Sequence, residues 1–298
     1  MNVLSLFDGI GCGRLALERA GIKVESYYAS EIETDSIRVV SHHYQDAIHL
    51  GDVTKWQEWD IDFGSIDILI AGFPCQSWSL AGKQLGIDDH RGQLVFCMIA
   101  ILDKIKETNP DVKFLFENVK MKPEYLSFLN DTIGVTPVCI NSKLVSAGMR
   151  ERYYWTNIPN ITQPADKGIK LSEVIDSGIV DRDKSLCITK RYEGFSGSQS
   201  YLRRRYFGKS MGQAVFENCT PESQKKLWLM DDRKEYDITF GTIRSLTTRE
   251  CERIMTLPDR YVEVVLGNTL KAKGIIGNGW TVDVIAHIFG GLNQVLTQ

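Results

Sequence analysis

The sequence predicts an α/β fold, a mostly parallel sheet with helices on both faces. Short apolar runs alternate with stretches of helical periodicity through residues 1–157, the pattern that βαβ units leave in a sequence. A chain of 298 residues that is 43% hydrophobic and 24% charged can bury the core of one large domain or two modest ones. The alternation is lost over residues 158–243, where we expect a small irregular domain, and it returns over residues 244–298.

Apolar patterns place the individual elements. Within the third predicted helix, Leu94, Met98 and Ile101 recur at the spacing of one helical face. The carboxyl ends of the parallel strands are expected to share one edge of the sheet, which is where such sheets bind ligands. The predicted strands cover residues 3–7, 25–30, 66–71, 113–116, 138–144 and 153–156, and the predicted helices cover residues 13–19, 34–44, 93–106, 244–255 and 282–292.

Composition excludes several classes of protein. The formal net charge is -3, and no run approaches the ~18 apolar residues of a membrane span. The apolar run that begins at Val3 is interrupted by Asp8 and lacks the positively charged segment of a signal peptide. Seven scattered cysteines without a Cys-x-x-Cys pair argue against a disulfide framework or a cysteine-built zinc site. We expect a cytoplasmic protein with reduced thiols, no membrane and no bound metal.

One segment departs from the near-neutral charge of the chain. Residues 182–209 contain eight basic residues against two acidic ones, so the remainder of the chain is acidic. A segment of this kind is typical of a surface that binds a polyanion, and it is also typical of a solvated loop. Charge alone leaves both interpretations open.

A glycine-rich turn follows the first predicted strand. Residues 7–13 contain three glycines separated by single residues, directly before a predicted helix. Such a turn lets the backbone approach a ligand closely, and Glu31 at the end of the next strand is placed to accept hydrogen bonds from ribose hydroxyls. Asp52, after a third short run, could bind an adenine amino group. A tight turn without a ligand is the alternative, and the spacing departs from that of NAD-binding turns.

A cysteine follows the predicted strand at residues 66–71. Residues 72–79 read Gly-Phe-Pro-Cys-Gln-Ser-Trp-Ser, and the segment that continues to residue 92 is rich in Gly, Ser, Asp and Lys, as a lid would be. Proline fixes the backbone just before Cys75. We interpret Cys75 as a nucleophile, with a buried structural thiol as the alternative.

An acid, an amide and two arginines lie on later strands. Glu117 and Asn118 end another apolar strand, so they lie at the same edge as Cys75. Arg150 and Arg152 are two residues apart at the beginning of the last strand of the domain, hence on one side of an extended chain. A buried ion pair and a surface salt bridge are the structural alternatives for these residues.

Taken together, these segments resemble the DNA (cytosine-5)-methyltransferase family, in the family's usual order from Phe7 to the C-terminal region. Two features depart from it: the family's prokaryotic members usually carry Gln where this chain has Gly148, and Asn278 and Trp280 do not both follow the pattern of one subfamily. Details at residues 29–32 and 152–157 are similar to the eukaryotic de novo subfamily, and a compact bacterial or phage enzyme is expected. The matching segments are residues 7–13 (cofactor motif), 74–76 (nucleophile), 117–119 (acid), 150–152 (base-clamping arginines), and 244–250 and 277–282 (two late motifs).

The resemblance implies a Rossmann-like sheet that binds S-adenosyl-L-methionine (AdoMet), and it assigns roles residue by residue. The implied catalytic residues are Cys75, Glu117, Asn118, Arg150 and Arg152. The implied cofactor residues are Phe7, Asp8, Gly9, Gly11, Glu31, Ile32, Asp52, Val53, Pro74, Asn278 and Trp280. The implied DNA-binding residues are Gln76, Ser77, Lys190, Arg191, Arg203, Arg204 and Arg205.

The implied activity is methyl transfer from AdoMet to C5 of a cytosine flipped out of double-stranded DNA, through a covalent adduct of Cys75 with C6. Residues 1–157 would bind the cofactor, residues 158–243 would recognise the target, and residues 244–298 would complete the catalytic domain. Three alternatives are kept: a tRNA cytosine methyltransferase, although the Cys-Phe-Thr segment of that branch is absent from the sequence; a catalytically silent DNA-binding regulator; and an NAD-dependent oxidoreductase. The oligomeric state is left open.

Overall fold

The computed structural model describes residues 1–74, 94–189, 198–207, 214–219 and 241–296. The chain divides into two compact units. The first unit contains Met1–Asn141, Glu151–Pro164 and Val282–Gln298, and the second unit contains Ser142–Arg150 and Ala165–Thr281. These units divide the chain at other places than the three segments named above, whose assignment to cofactor binding and target recognition stays a prediction.

The described strands and helices are numbered here in chain order. The strands are β1 (Asn2–Leu6), β2 (Ser26–Ser30), β3 (Ala47–His49), β4 (Ile68–Gly72), β5 (Lys113–Val119), β6 (Val138–Asn141), β7 (Glu151–Thr156), β8 (Ile179–Val180), β9 (Val215–Glu217) and β10 (Thr242–Arg244). The helices are α1 (Cys12–Arg19), α2 (Thr34–His43), α3 (Leu94–Lys106), α4 (Pro123–Ile133), α5 (Gln199–Phe207), α6 (Thr248–Ile254), α7 (Glu263–Leu266), α8 (Leu270–Asn278) and α9 (Val282–Leu296).

The first unit is built on one mostly parallel sheet flanked by helices, which confirms the predicted fold class. Its strand order is β3-β2-β1-β4-β5-β7-β6, and the pairs among the first five of these strands are parallel. β7 runs antiparallel to both of its neighbours. The chain moves outward in one direction from β1 to β3 and in the other direction from β4 to β5. The crevice of this sheet therefore opens at the carboxyl ends of β1 and β4, where the strand order reverses.

Apolar burial on the two faces of the sheet explains why these segments become strands. All residues of β4 except its last are buried, as are the five central residues of β5, and strands covered on both faces read as continuous apolar runs. The apolar face of α3, with Met98, Ile101 and Ile105, joins the same core as Phe116 and Trp155. α1 packs against α9. None of the helices in the described part of the chain is long and apolar enough to cross a membrane.

Most predicted elements of the first unit are confirmed within two or three residues, and the helix predicted over residues 244–255, in the second unit, is confirmed with a later start. Arg244 ends β10, and α6 begins only at Thr248. Thr247 caps α6: its side chain accepts a hydrogen bond from Glu250 N, and the Glu250 side chain accepts one from Thr247 N. This capping box is a sequence signal for a helix start. Two further elements, β3 and α4, were not predicted.

The second unit contains more regular structure than the irregular domain that the sequence predicts. β10, β9 and β8 form an antiparallel sheet in that order. α5 contributes Leu202 and Tyr206 to a small core with Phe216 and Ile243. Two-residue and three-residue strands carry too short a pattern to be recognised from alternation.

A buried ion pair joins α6 to this small sheet. Arg244, the last residue of β10, donates to both carboxylate oxygens of Glu250 at 2.7 Å and to Glu217 of β9 at 2.8 Å. Glu250 is fully buried and also accepts a hydrogen bond from the backbone N of Asp176 at 2.8 Å. The residues of the late motif at 244–250 therefore stabilise the second unit, whether or not they take part in chemistry at the site.

Mutation compares the ion pair with the Thr247 cap, although Glu250→Ala removes the hydrogen bond from Thr247 N together with the ion pair. Glu250→Ala leaves Arg244 without its bidentate carboxylate, so we expect the free energy of unfolding to fall by roughly 3 kcal/mol. Thr247→Ala removes only the cap and should cost about 1 kcal/mol. Urea denaturation followed by circular dichroism measures both values, and equal losses in the two variants would contradict a dominant role for the ion pair.

Candidate active site

The turn after β1 has a backbone that few residues adopt. Phe7, Gly9 and Gly11 have φ angles of 54°, 60° and 74°, in the left-handed region that glycine occupies without strain. A positive φ at a bulky residue such as Phe7 is uncommon and is typical of functional turns. α1 begins directly after this turn, without a side-chain cap at Gly11. The predicted cofactor turn is thus a tight, backbone-lined loop at the crevice of the sheet.

Glu31 is held beside this turn by backbone hydrogen bonds. Its Oε2 accepts from Gly9 N at 2.8 Å, and its Oε1 accepts from the N atoms of Ile32 and Glu33 at 2.8 Å each. These bonds fix the carboxylate between the ends of β1 and β2. Ile32, next in the chain, is 73% exposed, an unusual environment for a large apolar side chain. The structure therefore brings the Glu31 carboxylate to the turn, and the binding of a cofactor by Glu31 and Ile32 stays a prediction.

Asp52 and Val53 lie in the loop that follows β3. Asp52 Oδ1 accepts hydrogen bonds from the backbone N and the hydroxyl of Thr54, both at 2.9 Å, and so caps a short 3-10 helix. The Ser30 hydroxyl at the end of β2 donates to Gly51 O at 2.8 Å. The loop is thereby fixed to the carboxyl end of the same strand that precedes Glu31.

Asp8 is a buried carboxyl group within the turn. Its Oδ1 accepts hydrogen bonds from the Ser5 hydroxyl at 2.6 Å and from the Tyr27 hydroxyl at 2.5 Å. Burial raises the pKa of Asp8 to about 6; the two hydrogen bonds lower it, and the charge of Glu31 adds to the rise. Burial and the nearby Asp8 raise the pKa of Tyr27, so Tyr27 remains a hydrogen-bond donor. The sequence interpretation did not name Ser5 and Tyr27, the two partners of this carboxyl group.

Glu117 and Arg152 meet on neighbouring strands. Arg152 Nε lies 2.9 Å from Glu117 Oε1, and both side chains are largely buried. Strand register explains the contact, since Arg152 pairs with Val119 and Glu117 with Tyr154 across β5 and β7. On its other side, Glu117 pairs with Gly72, the last residue of β4. The predicted acid and one predicted arginine therefore form a pair at the strand end that leads to residue 75.

Asn118 and Pro74 belong to the same edge of the sheet. The Asn118 amide is 1% exposed, and its Nδ2 donates to the backbone O of Phe73 at 3.1 Å. Its Oδ1 accepts from Val119 N at 2.8 Å. Asn118 thus holds the backbone just before Pro74, which is partly buried. Its predicted contact with a base stays a prediction.

Arg150 lies in the second unit and contacts backbone carbonyls. Its side chain is 7% exposed and donates to Ile188 O at 3.1 Å, to Gly277 O at 3.2 Å and to Gly279 O at 2.9 Å. The last two carbonyls flank Asn278, the exposed final residue of α8, and precede the buried Trp280. Arg150 therefore links two of the predicted motifs within the second unit. Its predicted contact with a base stays a prediction.

The glycine that departs from the family's usual Gln has a packing reason. A Cβ at Gly148 would lie 2.6 Å from Cγ2 of Ile254 in α6. The Gly148 carbonyl also accepts hydrogen bonds from the Ser142 and Ser146 hydroxyls at 2.7 and 3.2 Å. A larger residue at this position would therefore displace neighbouring side chains of the second unit.

Several predicted residues cannot be placed. Cys75, Gln76, Ser77, Lys190 and Arg191 lie outside the described residues, and Arg203, Arg204 and Arg205 lie on α5 with only their backbone described. Two other basic residues of the 182–209 segment are engaged internally. Arg182 forms a two-bond pair with Asp181 at 2.7 Å, and Lys184 donates to carbonyls of residues 143, 146 and 169. Part of the basic charge thus stabilises the second unit.

Comparison with known proteins identifies the family. A family model described as C-5 cytosine-specific DNA methylase matches residues 1–123 and 149–294. The chain belongs to this family. Type II methyltransferase M1.ScrFI of Lactococcus lactis subsp. cremoris is 30% identical, with 100% of this chain and 79% of the relative covered. Type II methyltransferase M.HhaI of Haemophilus parahaemolyticus is 29% identical, with 97% of this chain and 93% of the relative covered.

The fold of this chain is also found in solved structures. The Entamoeba histolytica methyltransferase EhMeth matches with a TM-score of 0.70 at 16% identity, over 100% of this chain and 99% of that one. The resemblance drawn from the motifs is therefore confirmed. The chain is an enzyme of the cytosine-5 DNA methyltransferase class, in a family that uses AdoMet to methylate cytosine.

The Asp8 environment predicts an unusual pH dependence of stability. Because the folded state raises the pKa of Asp8 from 3.8 to about 6, ionising it above pH 6 destabilises the folded protein. Asp8→Asn keeps the shape and both hydrogen bonds, and it places an amide nitrogen at the buried position of Oδ2, which has no partner. We therefore expect the free energy of unfolding of the variant, relative to the wild type, to rise by about 2–3 kcal/mol from pH 4 to pH 8.

This relative gain should be complete above about pH 6 and should shrink as the pH falls through 6, reaching a constant difference below about 4, where the wild-type carboxyl is protonated in both states. Denaturant unfolding of both proteins at pH 4, 6 and 8 measures the difference. A difference in stability that does not change between pH 4 and pH 8 would contradict the assignment.

Proposed function

We propose that this enzyme transfers a methyl group from AdoMet to C5 of a cytosine flipped out of a short double-stranded DNA sequence, through a covalent bond between Cys75 and C6. The observation that carries the proposal is the pair formed by Glu117 and Arg152, 2.9 Å apart, at the edge where β4 leads to Cys75. Membership of a family described as C-5 cytosine-specific DNA methylases supports the cytosine chemistry and a DNA substrate, and the relatives named above are type II methyltransferases by name.

The first unit has groups that fit AdoMet, a cationic nucleoside with ribose hydroxyls and an adenine ring. The Glu31 carboxylate is fixed by three backbone N–H groups and suits the ribose hydroxyls as a hydrogen-bond acceptor. The exposed side chain of Ile32 offers an apolar surface to the adenine ring. Asp8 supplies negative charge at the turn. The proposed site is completed by Phe7, Gly9, Gly11, Asp52, Val53 and Pro74. Two further residues, Asn278 and Trp280, are assigned to it on their motif alone. When bound, AdoMet supplies an electrophilic methyl group.

Cys75 is proposed to start the reaction, because C5 of cytosine is a weak nucleophile. The thiolate forms a bond to C6, and the electron pair of the C5–C6 double bond becomes available at C5 to form the new bond to the methyl carbon. Loss of the C5 proton to a base and expulsion of the Cys75 thiolate then restore the aromatic ring. The methyl–sulfur bond of the bound cofactor would break as the bond to C5 forms, so the products are 5-methylcytosine and S-adenosylhomocysteine, and the cysteine is regenerated.

Glu117 and Arg152 are proposed to stabilise the base during this addition. A carboxyl group at Glu117 donates a hydrogen bond or a proton to N3, where negative charge develops. Arg152 orients Glu117 through their contact and holds O2 of the ring. Asn118 and Arg150 are proposed to help position the base. Asn118 donates to the carbonyl of Phe73, two residues before Cys75 in the sequence, and Arg150 donates to the carbonyl of Gly279, directly before Trp280.

Double-stranded DNA is the proposed partner, bound by residues 158–243 and by the segment after Cys75. A base inside a duplex is inaccessible to a thiol, so flipping is required, at a cost of a few kcal/mol. Gln76, Ser77, Lys190 and Arg191 are proposed to contact DNA together with Arg203, Arg204 and Arg205. A DNA substrate would place the enzyme in the cytoplasm of a bacterial or phage-infected cell.

Methylation sequencing tests the proposal directly. Purified protein is incubated with AdoMet and genomic DNA in one reaction and with total tRNA in another, and 5-methylcytosine is mapped in both. We expect methylation of one short motif in DNA and none in tRNA. Methylation of tRNA alone would replace the proposed substrate with RNA, and no methylation of either, with AdoMet bound, would favour a silent binder.

The role of Cys75 is tested by substitution. Cys75→Ser should abolish transfer of tritiated methyl groups, since a hydroxyl adds to C6 far less readily than a thiolate, while AdoMet and DNA binding remain. Cys139→Ser, at a partly buried thiol 3.5 Å from Glu151, is the matched control and should stay near wild-type activity. Wild-type transfer by the Cys75→Ser variant would remove Cys75 from the mechanism.

The role of α5 is tested through the salt dependence of DNA binding. Replacing Arg203, Arg204 and Arg205 with alanine should weaken binding and reduce the slope of log K against log salt by about 0.9 for each lost phosphate contact. A control variant lacks three exposed lysines of the first unit, Lys23, Lys104 and Lys106, and should keep the wild-type slope. The same slope in both variants would exclude α5 from the interface.

A further inference from the structure

The Asp8 carboxyl has an unusual distribution of hydrogen bonds. It is 9% exposed, and both of its donors, the hydroxyls of Ser5 and Tyr27, bond to the same oxygen, Oδ1. The second oxygen, Oδ2, is buried without a hydrogen-bond partner. A buried carboxylate oxygen without a donor is unfavourable, because it has lost water and gained nothing in return.

The charged groups around Asp8 do not offset this loss. Ser5 faces it from β1 and Tyr27 from β2, and the charge that acts on it among the described residues is the carboxylate of Glu31, beyond β2. From α1, the Arg14 guanidinium lies over the Tyr27 ring, 5.6 Å from its centroid, and is itself paired with Glu18 and Asp46. Within the described residues, Asp8 is therefore a buried acid beside a second acid.

A structural role alone does not explain a carboxyl group at this position. Asparagine has the same shape, and its Oδ1 can accept the same two hydrogen bonds. It also carries no charge that would have to be buried. The property that aspartate has and asparagine lacks is the ability to become negative, at the loop where the cofactor is proposed to bind.

We propose that Asp8 is the counter-charge for the positively charged cofactor, so that binding of a cationic ligand at the turn after β1 expels the proton of Asp8 into solvent. This inference rests on the proposed function, since it takes AdoMet as the ligand. The ligand's positive charge and the proton compete for the same carboxyl group. By linkage, proton loss strengthens cofactor binding as much as cofactor binding promotes proton loss.

The sign of the pH dependence follows. The free protein holds Asp8 with a pKa of about 6, and a cation nearby lowers that value. Affinity for AdoMet should therefore rise as the pH increases towards 6 and level off above it. Each unit by which the ligand lowers the pKa strengthens binding about tenfold at high pH.

Calorimetric titration of the full chain with AdoMet, in two buffers of different ionisation enthalpy, measures the expelled protons. At pH 6 the wild type should release about half a proton more than Asp8→Asn does, and at pH 8 the two proteins should exchange equal numbers of protons, because Asp8 is then already ionised. Taking this difference cancels protons exchanged by the amino group of the ligand, and Asp8→Asn should bind AdoMet about tenfold or more weakly than the wild type at pH 8.

Two further variants separate a charge effect from a structural one. Ser5→Ala removes a hydrogen bond that lowers the pKa of Asp8, so proton release should persist but peak at a higher pH. Glu107→Gln removes one carboxylate from an exposed position on the surface, where it pairs with Lys104. It has the same net charge as Asp8→Asn and should behave as the wild type does.

Ligand analogues locate the positive charge that Asp8 senses. S-adenosylhomocysteine keeps the ammonium group and lacks the sulfonium charge, and 5′-methylthioadenosine lacks both. Excess proton release by the wild type over Asp8→Asn with S-adenosylhomocysteine would assign the effect to the ammonium, and excess release with AdoMet alone would assign it to the sulfonium. Excess release with 5′-methylthioadenosine would contradict the proposal.

The outcomes distinguish this inference from the proposed function. AdoMet binding with equal proton release by wild type and Asp8→Asn at pH 6, or equal affinities of the two proteins at pH 8, would overturn the role of Asp8 and leave the proposed function intact. Failure of the wild type and of Glu107→Gln to bind AdoMet at any pH would overturn both.

Discussion

The pairing of β1 with β2 on one side and with β4 on the other is the constraint on which the candidate site depends. The chain reverses its direction of growth between β1 and β4, so no crossover covers the carboxyl ends of these strands. The glycine turn follows β1, and Pro74 follows β4. Because β5 pairs with β4 in register, Glu117 lies beside Gly72. Segments distant in sequence thereby reach one edge of the sheet.

Most elements of the first unit, though not β3 and α4, and the edge that carries the motifs could be predicted, because its longer parallel strands are apolar and buried. The partners of the site residues could not. Arg150 was predicted to hold a base and contacts the carbonyls of Gly277 and Gly279, which no residue pattern encodes. Asn118 similarly holds Phe73 O. The start of the helix predicted over residues 244–255 was placed too early because apolar spacing outweighed the cap at Thr247.

Two buried acids show how differently a fold can treat a carboxyl group. Glu250 is fully buried, and its oxygens are satisfied by Arg244 and by backbone N–H groups. Asp8 has both donors on one oxygen and no cation beside it among the described residues. The first arrangement stabilises the fold, and the second stores an unfavourable charge where a cationic ligand is proposed to bind. Binding sites are often less stable than the scaffold around them for this reason.

The covalent bond between Cys75 and C6 is the central claim, and trapping it is the most direct test. Genomic fragments are synthesised with 5-fluorocytosine in place of cytosine and incubated with the enzyme and AdoMet. Fluorine cannot leave C5 as a proton does, so the adduct should persist. We expect mass spectrometry of the digested complex to find the methylated fluorocytosine on the peptide that contains Cys75, and only when AdoMet is added. DNA that binds without forming an adduct, or an adduct at another cysteine, would contradict the mechanism.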